Sequence, residues 1–79
     1  MNERDTALGE AADLILAVEK AEREAADRAD GYEVVEAALE ADRMRKHARE
    51  LAGLAASILR LGSPALSTRV AEAIQLARR

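Results

Sequence analysis

The chain has 79 residues, enough for one small domain, and a domain of this size buries only about 60% of the surface that its unfolded chain exposes. Alanine, leucine, glutamate and arginine dominate beside four glycines, one proline and one aromatic residue, so the composition favours helix over strand. Without cysteine, disulfides and cysteine-based zinc sites are excluded.

The net charge of −3 is unevenly distributed along the chain. Up to Asp42 there are 13 acidic and 4 basic residues, whereas from Arg43 onward there are 2 acidic and 8 basic residues. These opposite charges predict that the acidic first part folds back on the basic remainder, or that two copies pair head to tail. A basic surface kept for an acidic partner is the alternative.

The first helix is expected over about residues 3–29, with Asn2 as its cap. Its predicted buried seam follows a strict 4-3 spacing, and it leaves Ala12 and Leu16 in water. Glu19 and Arg23 are expected to form a solvated pair. The seam residues are Ala7, Ala11, Leu14, Val18, Ala21 and Ala25.

A second long helix is expected over about residues 31–61, beginning with an Asp30-x-x-Glu33 capping box. A short turn makes the two long helices an antiparallel hairpin. Gly62 is expected in the left-handed conformation at the end of the second helix. The second helix carries a heptad seam of small and apolar residues: Val34, Ala37, Ala41, Met44, Ala48, Leu51, Ala55, Ile58 and Gly62.

A shorter third helix is expected over about residues 64–78, capped by Ser63 and started by Pro64. Leu66, Val70 and Ala73 should place it against the widened end of the second helix. The sequence thus predicts one all-α domain of two long helices and one short helix, which assembles as a dimer into a larger helical bundle.

More apolar residues are present than one three-helix monomer can cover, and this surplus predicts protein contacts. We expect a small, non-enzymatic regulator or inhibitor of bacterial or phage type, which forms a homodimer and masks the surface of a partner protein. Tyr32 is the best single anchor, because aromatic rings contribute strongly to interfaces. The predicted interface residues are Leu16, Tyr32, Val35, Leu39, Leu54 and Leu61.

The alternative function is nucleic-acid binding. Residues 55–74 have the outline of a helix-turn-helix, although Thr68 stands where such motifs usually carry an apolar residue. The cations that would contact nucleic acid or an acidic partner are Arg43, Lys46, Arg49 and Arg69.

His47 is the one histidine, and neither Arg43 nor Met44 one turn before it is a metal ligand that would complete a helical site. Its surroundings resemble helical phosphotransfer domains only loosely, since Gly53 comes six positions after it. We expect no metal, no cofactor and no catalytic residues. No apolar run is long enough to span a bilayer, and a cytoplasmic location is expected.

Overall fold

Three helices make up the fold, as the sequence predicts. The computed structural model describes residues 2–79, in which α1 spans Glu3–Asp30, α2 spans Val35–Leu59 and α3 spans Ser67–Ala77. A short 3-10 helix, Pro64–Leu66, leads into α3. The described residues contain no strand. The two long helices lie antiparallel along a molecule of 49 × 18 × 13 Å, and α3 packs mainly against α2.

The starts of α1 and of the 3-10 helix follow ordinary capping chemistry. The Asn2 side chain accepts a hydrogen bond from the Asp5 N–H at 2.7 Å, as predicted. Ser63 accepts one from the Ala65 N–H at 3.3 Å, and Pro64 follows at the first helical position. These two caps confirm where the first and third helical segments begin.

The turn between α1 and α2 differs from its prediction. It covers residues 31–34, and α2 is preceded by Val34, which makes no side-chain cap hydrogen bond. The predicted capping box does not form, because Asp30 is the last residue of α1 and its carboxylate binds the Arg45 guanidinium. Val34 is therefore an exposed residue of the turn rather than the first residue of the buried seam.

Gly62 is needed for close packing rather than for a left-handed backbone. No glycine in residues 2–79 has positive φ, so the predicted left-handed cap is wrong. A Cβ at this position would overlap the Leu66 side chain and would lie 2.9 Å from the Asp5 Oδ1 atom. The glycine thus lets the end of α2, the start of α1 and the 3-10 helix meet at one point.

The buried seam of α2 is confirmed along its helical length. Ala41, Ala48 and Ala55 are fully buried, while Met44 and Leu51 are half-buried. Ala56 and Leu59 extend this surface toward α3, and the same core includes Leu66 of the 3-10 helix and Ala73 of α3. The third helix therefore docks on the widened end of α2, as expected.

The seam predicted for α1 is wrong, because the helix is rotated about its axis. Leu14 and Val18, expected in the core, are exposed, whereas Ala12 is fully buried and Leu16 packs against the core. The prediction assumed a single neighbouring helix, but α1 contacts α2 and the segment that leads into α3. The line that it buries has a period of seven: Asp5, Ala12, Glu19 and Ala26.

Candidate functional site

The protein buries small apolar residues and exposes large ones. In the described part of the chain ten apolar residues are fully buried; eight are alanines, and the other two are Leu59 and Leu66. Eight large apolar residues remain exposed within residues 2–79. Since alanine contributes little buried area, most of the apolar surface available for binding lies on the large exposed side chains. The exposed residues are Leu14, Val18, Tyr32, Val34, Val35, Leu39, Leu54 and Leu61.

One group of apolar residues, some half-buried and some exposed, lies along α2 and the turn that follows it. Leu51, Leu54, Ile58 and Leu61 come after His47 at spacings of 4, 3, 4 and 3 residues, which places them on one side of the helix. The Leu61 N–H donates to the Ile58 carbonyl at 3.1 Å, so the helical course continues to this residue. Leu54 and Leu61 are 51% and 61% exposed.

A matching stripe lies on α1. Ala11, Ile15 and Val18 precede Glu22 at spacings of 4, 3 and 4 residues. The Glu22 Oε1 atom is 3.6 Å from the His47 Nδ1 atom, which aligns the two stripes at one end. Because the helices are antiparallel, the stripes lie side by side over about 15 Å.

We call these two stripes together the apolar band, with Leu14 on its rim. The side of α2 that meets α3 is formed instead by Ala52, Ala56 and Leu59, which are fully buried or nearly so. The apolar band thus lies outside the contact with α3. Val18, Leu54 and Leu61 are exposed in it, and its other four members are half-buried. Its members are Ala11, Ile15, Val18, Leu51, Leu54, Ile58 and Leu61.

A second apolar surface, the tip patch, lies at the closed end of the hairpin. It consists of Tyr32 in the turn and of Val35 and Leu39 in the first turns of α2, and all three side chains are exposed. Tyr32 precedes α2 rather than belonging to it. The sequence therefore placed these three residues correctly on the surface.

Leu16 is the predicted interface residue whose position differs most from expectation. It is half-buried and packs against the cluster formed by α1, α2 and α3. The residue that α1 exposes in its place is Leu14, which is 72% exposed. The rotation of α1 accounts for this exchange.

The four basic residues proposed for nucleic-acid contacts do not form one free surface. Arg43 binds Glu40, and Arg69 binds Asp13 on α1. The other two differ in exposure: Lys46 is exposed, and Arg49 lines a cleft beside the end of α3. The surface predicted for a helix-turn-helix is thereby reduced, because Arg69 is held against α1.

Pairs between the acidic and the basic parts of the chain join the helices. Arg45 on α2 contacts Asp27 and Asp30 on α1, with a distance of 3.1 Å to the Asp27 Oδ1 atom. The Arg69–Asp13 pair joins α3 to α1. Charge complementarity thus acts within one chain, which agrees with the prediction that the acidic first part folds back.

Glu19 and Arg23 form a pair whose burial the sequence did not reveal. Glu19 is only 1% exposed, and both of its oxygens accept hydrogen bonds from the Arg23 guanidinium, one of them at 3.2 Å. These hydrogen bonds raise the pKa of Arg23 above its usual value. The spacing of four residues predicts the pair, but the prediction that it is solvated is wrong, because Glu19 is buried.

The pair forms one wall of a cleft of about 330 Å³ between α1, α2 and the end of α3. Four arginines reach this cleft, which we call the arginine cleft: Arg23 from α1, Arg45 and Arg49 from α2, and Arg79 beyond α3. The hydrogen bonds that the Arg45 guanidinium donates to Asp30 and Asp27 raise the pKa of Arg45.

His47 contacts Glu22, and nowhere in residues 2–79 do three or more acidic or histidine side chains gather as a set of metal ligands. Among the described helices, none combines the length and the apolar character required to cross a bilayer.

Comparison with known proteins gave no match to a family model, to a curated protein or to a solved structure. The surfaces described above are therefore the basis for any functional argument.

Proposed function

We propose that this protein is a non-enzymatic helical interaction module, which self-associates through the apolar band and acts as a regulator or inhibitor by contacting a partner protein through the tip patch. The observation that supports the proposal is the distribution of apolar residues. The core consists mainly of alanine, whereas eight large apolar side chains are exposed within residues 2–79. Monomeric proteins seldom leave a contiguous apolar surface of this kind without a binding role.

A two-fold dimer suits the geometry of the band. Two hairpins that pack band to band would form a four-helix bundle, with each α3 on the outside. A two-fold interface must be complementary to itself, and an apolar centre meets that requirement. Glu22 and His47 lie side by side at one end of the band. Each protomer therefore brings one acidic and one basic side chain to the rim, where they can pair with those of the other protomer.

The expected strength of the dimer is low. Fully burying a leucine or valine side chain contributes about 1.5–3 kcal/mol, and Leu14, Val18, Leu54 and Leu61 are between 49% and 72% exposed. Eight such side chains in a dimer contribute on the order of 10 kcal/mol, which is comparable to the cost of association of about 4–15 kcal/mol. Self-association is therefore expected to be weak, because a net gain of at most about 6 kcal/mol corresponds to a dissociation constant of about 40 micromolar or more.

Sedimentation equilibrium of the wild type and of Val18→Lys and Leu54→Lys tests this proposal. We expect the wild type to sediment as a dimer at high micromolar concentration, and both variants as monomers with unchanged helical circular dichroism. The matched control is Ala71→Lys, which introduces the same charge at an exposed position of α3, outside the band. A wild type that stays monomeric, or a control that dissociates equally, would contradict dimer formation through the band.

The tip patch is tested separately. Leu39→Lys should leave the dimer intact, because this residue lies far from the band along α2. A partner protein that co-purifies with the tagged wild type should be lost with Leu39→Lys and with Tyr32→Ala, but retained with Ala71→Lys. Recovery of nucleic acid in place of a protein would favour the alternative function.

A further inference from the structure

We propose that the arginine cleft binds a phosphate group, either as inorganic phosphate or as the monoester of a small organic molecule. This site lies outside the apolar band and the tip patch. It brings together arginines from α1, α2 and the end of α3, which are far apart in the sequence, although the protein has a net negative charge.

Two of the four arginines are neutralised within the chain. Glu19 holds Arg23, and Asp27 with Asp30 holds Arg45. Because both oxygens of the buried Glu19 are already engaged, the carboxylate fixes the position of Arg23. These pairs build a defined wall of the cleft.

The guanidinium groups of Arg49 and Arg79 have no hydrogen-bond or ion-pair partner within residues 2–79. The four arginines and the three carboxylates that bind two of them, Glu19, Asp27 and Asp30, leave a net charge of +1, and the unpaired guanidinium groups of Arg49 and Arg79 are the donors available to a phosphate. Each guanidinium can donate two parallel hydrogen bonds to a tetrahedral phosphate, and the two side chains come from different elements of the fold.

The size and the remaining lining also fit a small ligand. A volume of about 330 Å³ is near the lower end of the range for small-molecule pockets. Ala48 and Leu76 give the cleft an apolar part beside the arginines. A phosphate monoester could place its phosphate against Arg49 and Arg79, and its organic group against Leu76.

Nuclear magnetic resonance titrations with inorganic phosphate and with phenyl phosphate test the proposal, with the ionic strength held constant by sodium chloride. We expect saturable shifts of the amide signals of Ala48, Arg49 and Leu76. Tighter binding of phenyl phosphate would assign the site to organic monoesters, and equal binding would assign it to the phosphate group alone. Shifts that do not saturate, or that sodium chloride alone reproduces, would overturn the proposal.

Substitutions locate the site. Arg49→Gln should weaken phosphate binding by about tenfold, the loss expected for one charge-assisted pair of hydrogen bonds. Arg79→Gln, at a position where unfolding is not a concern, should weaken it similarly. The matched control is Arg43→Gln, because Arg43 is exposed, binds Glu40 and lies outside the cleft. Equal weakening by all three substitutions would mean that only general charge attraction is present, and would contradict a built site.

The failure of this proposal can be separated from the failure of self-association. Val18→Lys changes the apolar band and should leave phosphate binding intact, whereas Arg49→Gln should leave the sedimentation of the dimer unchanged. The alternative role of the cleft arginines is to stabilise the C-terminal end of α3, where unpaired carbonyl groups carry partial negative charge. If that is their only role, neither phosphate compound will bind.

Discussion

The carboxylate of Asp5 accepts hydrogen bonds from both the backbone N–H and the hydroxyl of Ser63, a residue 58 positions away in the chain. The N–H to Oδ1 distance is 3.0 Å. This contact fastens the start of α1 to the turn between α2 and the 3-10 helix, beside the close approach at Gly62. It holds the two long helices together at the end of the hairpin opposite their connecting turn, where no loop links them.

The Asp5–Ser63 contact predicts a specific dependence of stability on pH. Hydrogen bonds from Ser63 lower the pKa of Asp5 below its ordinary value of 3.8. A lowered pKa in the folded state means that this carboxylate stabilises the fold above about pH 4, and that its contribution is lost as the pH falls through the folded-state pKa.

Asp5→Asn should therefore unfold at a lower temperature than the wild type at neutral pH. The difference between the two proteins should shrink as the pH is lowered below about 4. Thermal unfolding followed by circular dichroism at a series of pH values measures both effects. A difference in Tm that stays constant down to acid pH would show that the charge of Asp5 is not involved.

Two glycines should respond to alanine in opposite directions. Gly62→Ala should lower the free energy of unfolding by about 1–3 kcal/mol, because its Cβ would collide with Leu66 and Asp5. Gly53→Ala should raise it by about 0.5–1 kcal/mol, since Gly53 lies within α2 and a Cβ there would meet no atom within 4 Å. Urea unfolding of the two variants measures both, and destabilisation by Gly53→Ala would contradict the open space beside that residue.

The sequence predicted α2 better than α1 for a physical reason. In α2 the buried line consists of small and apolar residues, such as Ala41, Ala48 and Ala55, so hydrophobic periodicity finds it. In α1 the buried line contains Asp5 and Glu19, which a search for apolar positions excludes. Their burial becomes possible only because Ser63 and Arg23 supply hydrogen bonds.

The exposure of the large apolar residues could be predicted for α2 but not for α1. Leu54 and Leu61 stand outside the α2 seam in the sequence, so their exposure was foreseeable. The exposure of Leu14 and Val18 was not, because they fit a heptad seam that α1 does not bury. The arginine cleft was also missed, because its members come from three helical segments that the sequence cannot align in space.

Two leucines on α1 test its rotation directly. Leu16→Ala should lower the free energy of unfolding by about 2 kcal/mol, the lower end of the range for a core leucine, because Leu16 is half-buried against the core. Leu14→Ala should change it by less than about 0.5 kcal/mol in dilute, monomeric protein, because Leu14 is exposed. Urea unfolding at low protein concentration measures the two variants, and the reverse order would return Leu14 to the core.

The buried pair at Glu19 gives a final prediction. Glu19→Ala should lower the free energy of unfolding by about 1–3 kcal/mol, because Arg23 would lose both of its hydrogen bonds at a partly buried position. The cost stays below that of a fully buried pair because Arg23 can still reach water. The control is Glu24→Ala, whose exposed carboxylate lies 4.0 Å from the Lys20 amine and should contribute less than about 0.5 kcal/mol. Equal effects of the two substitutions in urea unfolding would contradict this prediction, because the Glu19 pair would then behave as an ordinary surface ion pair.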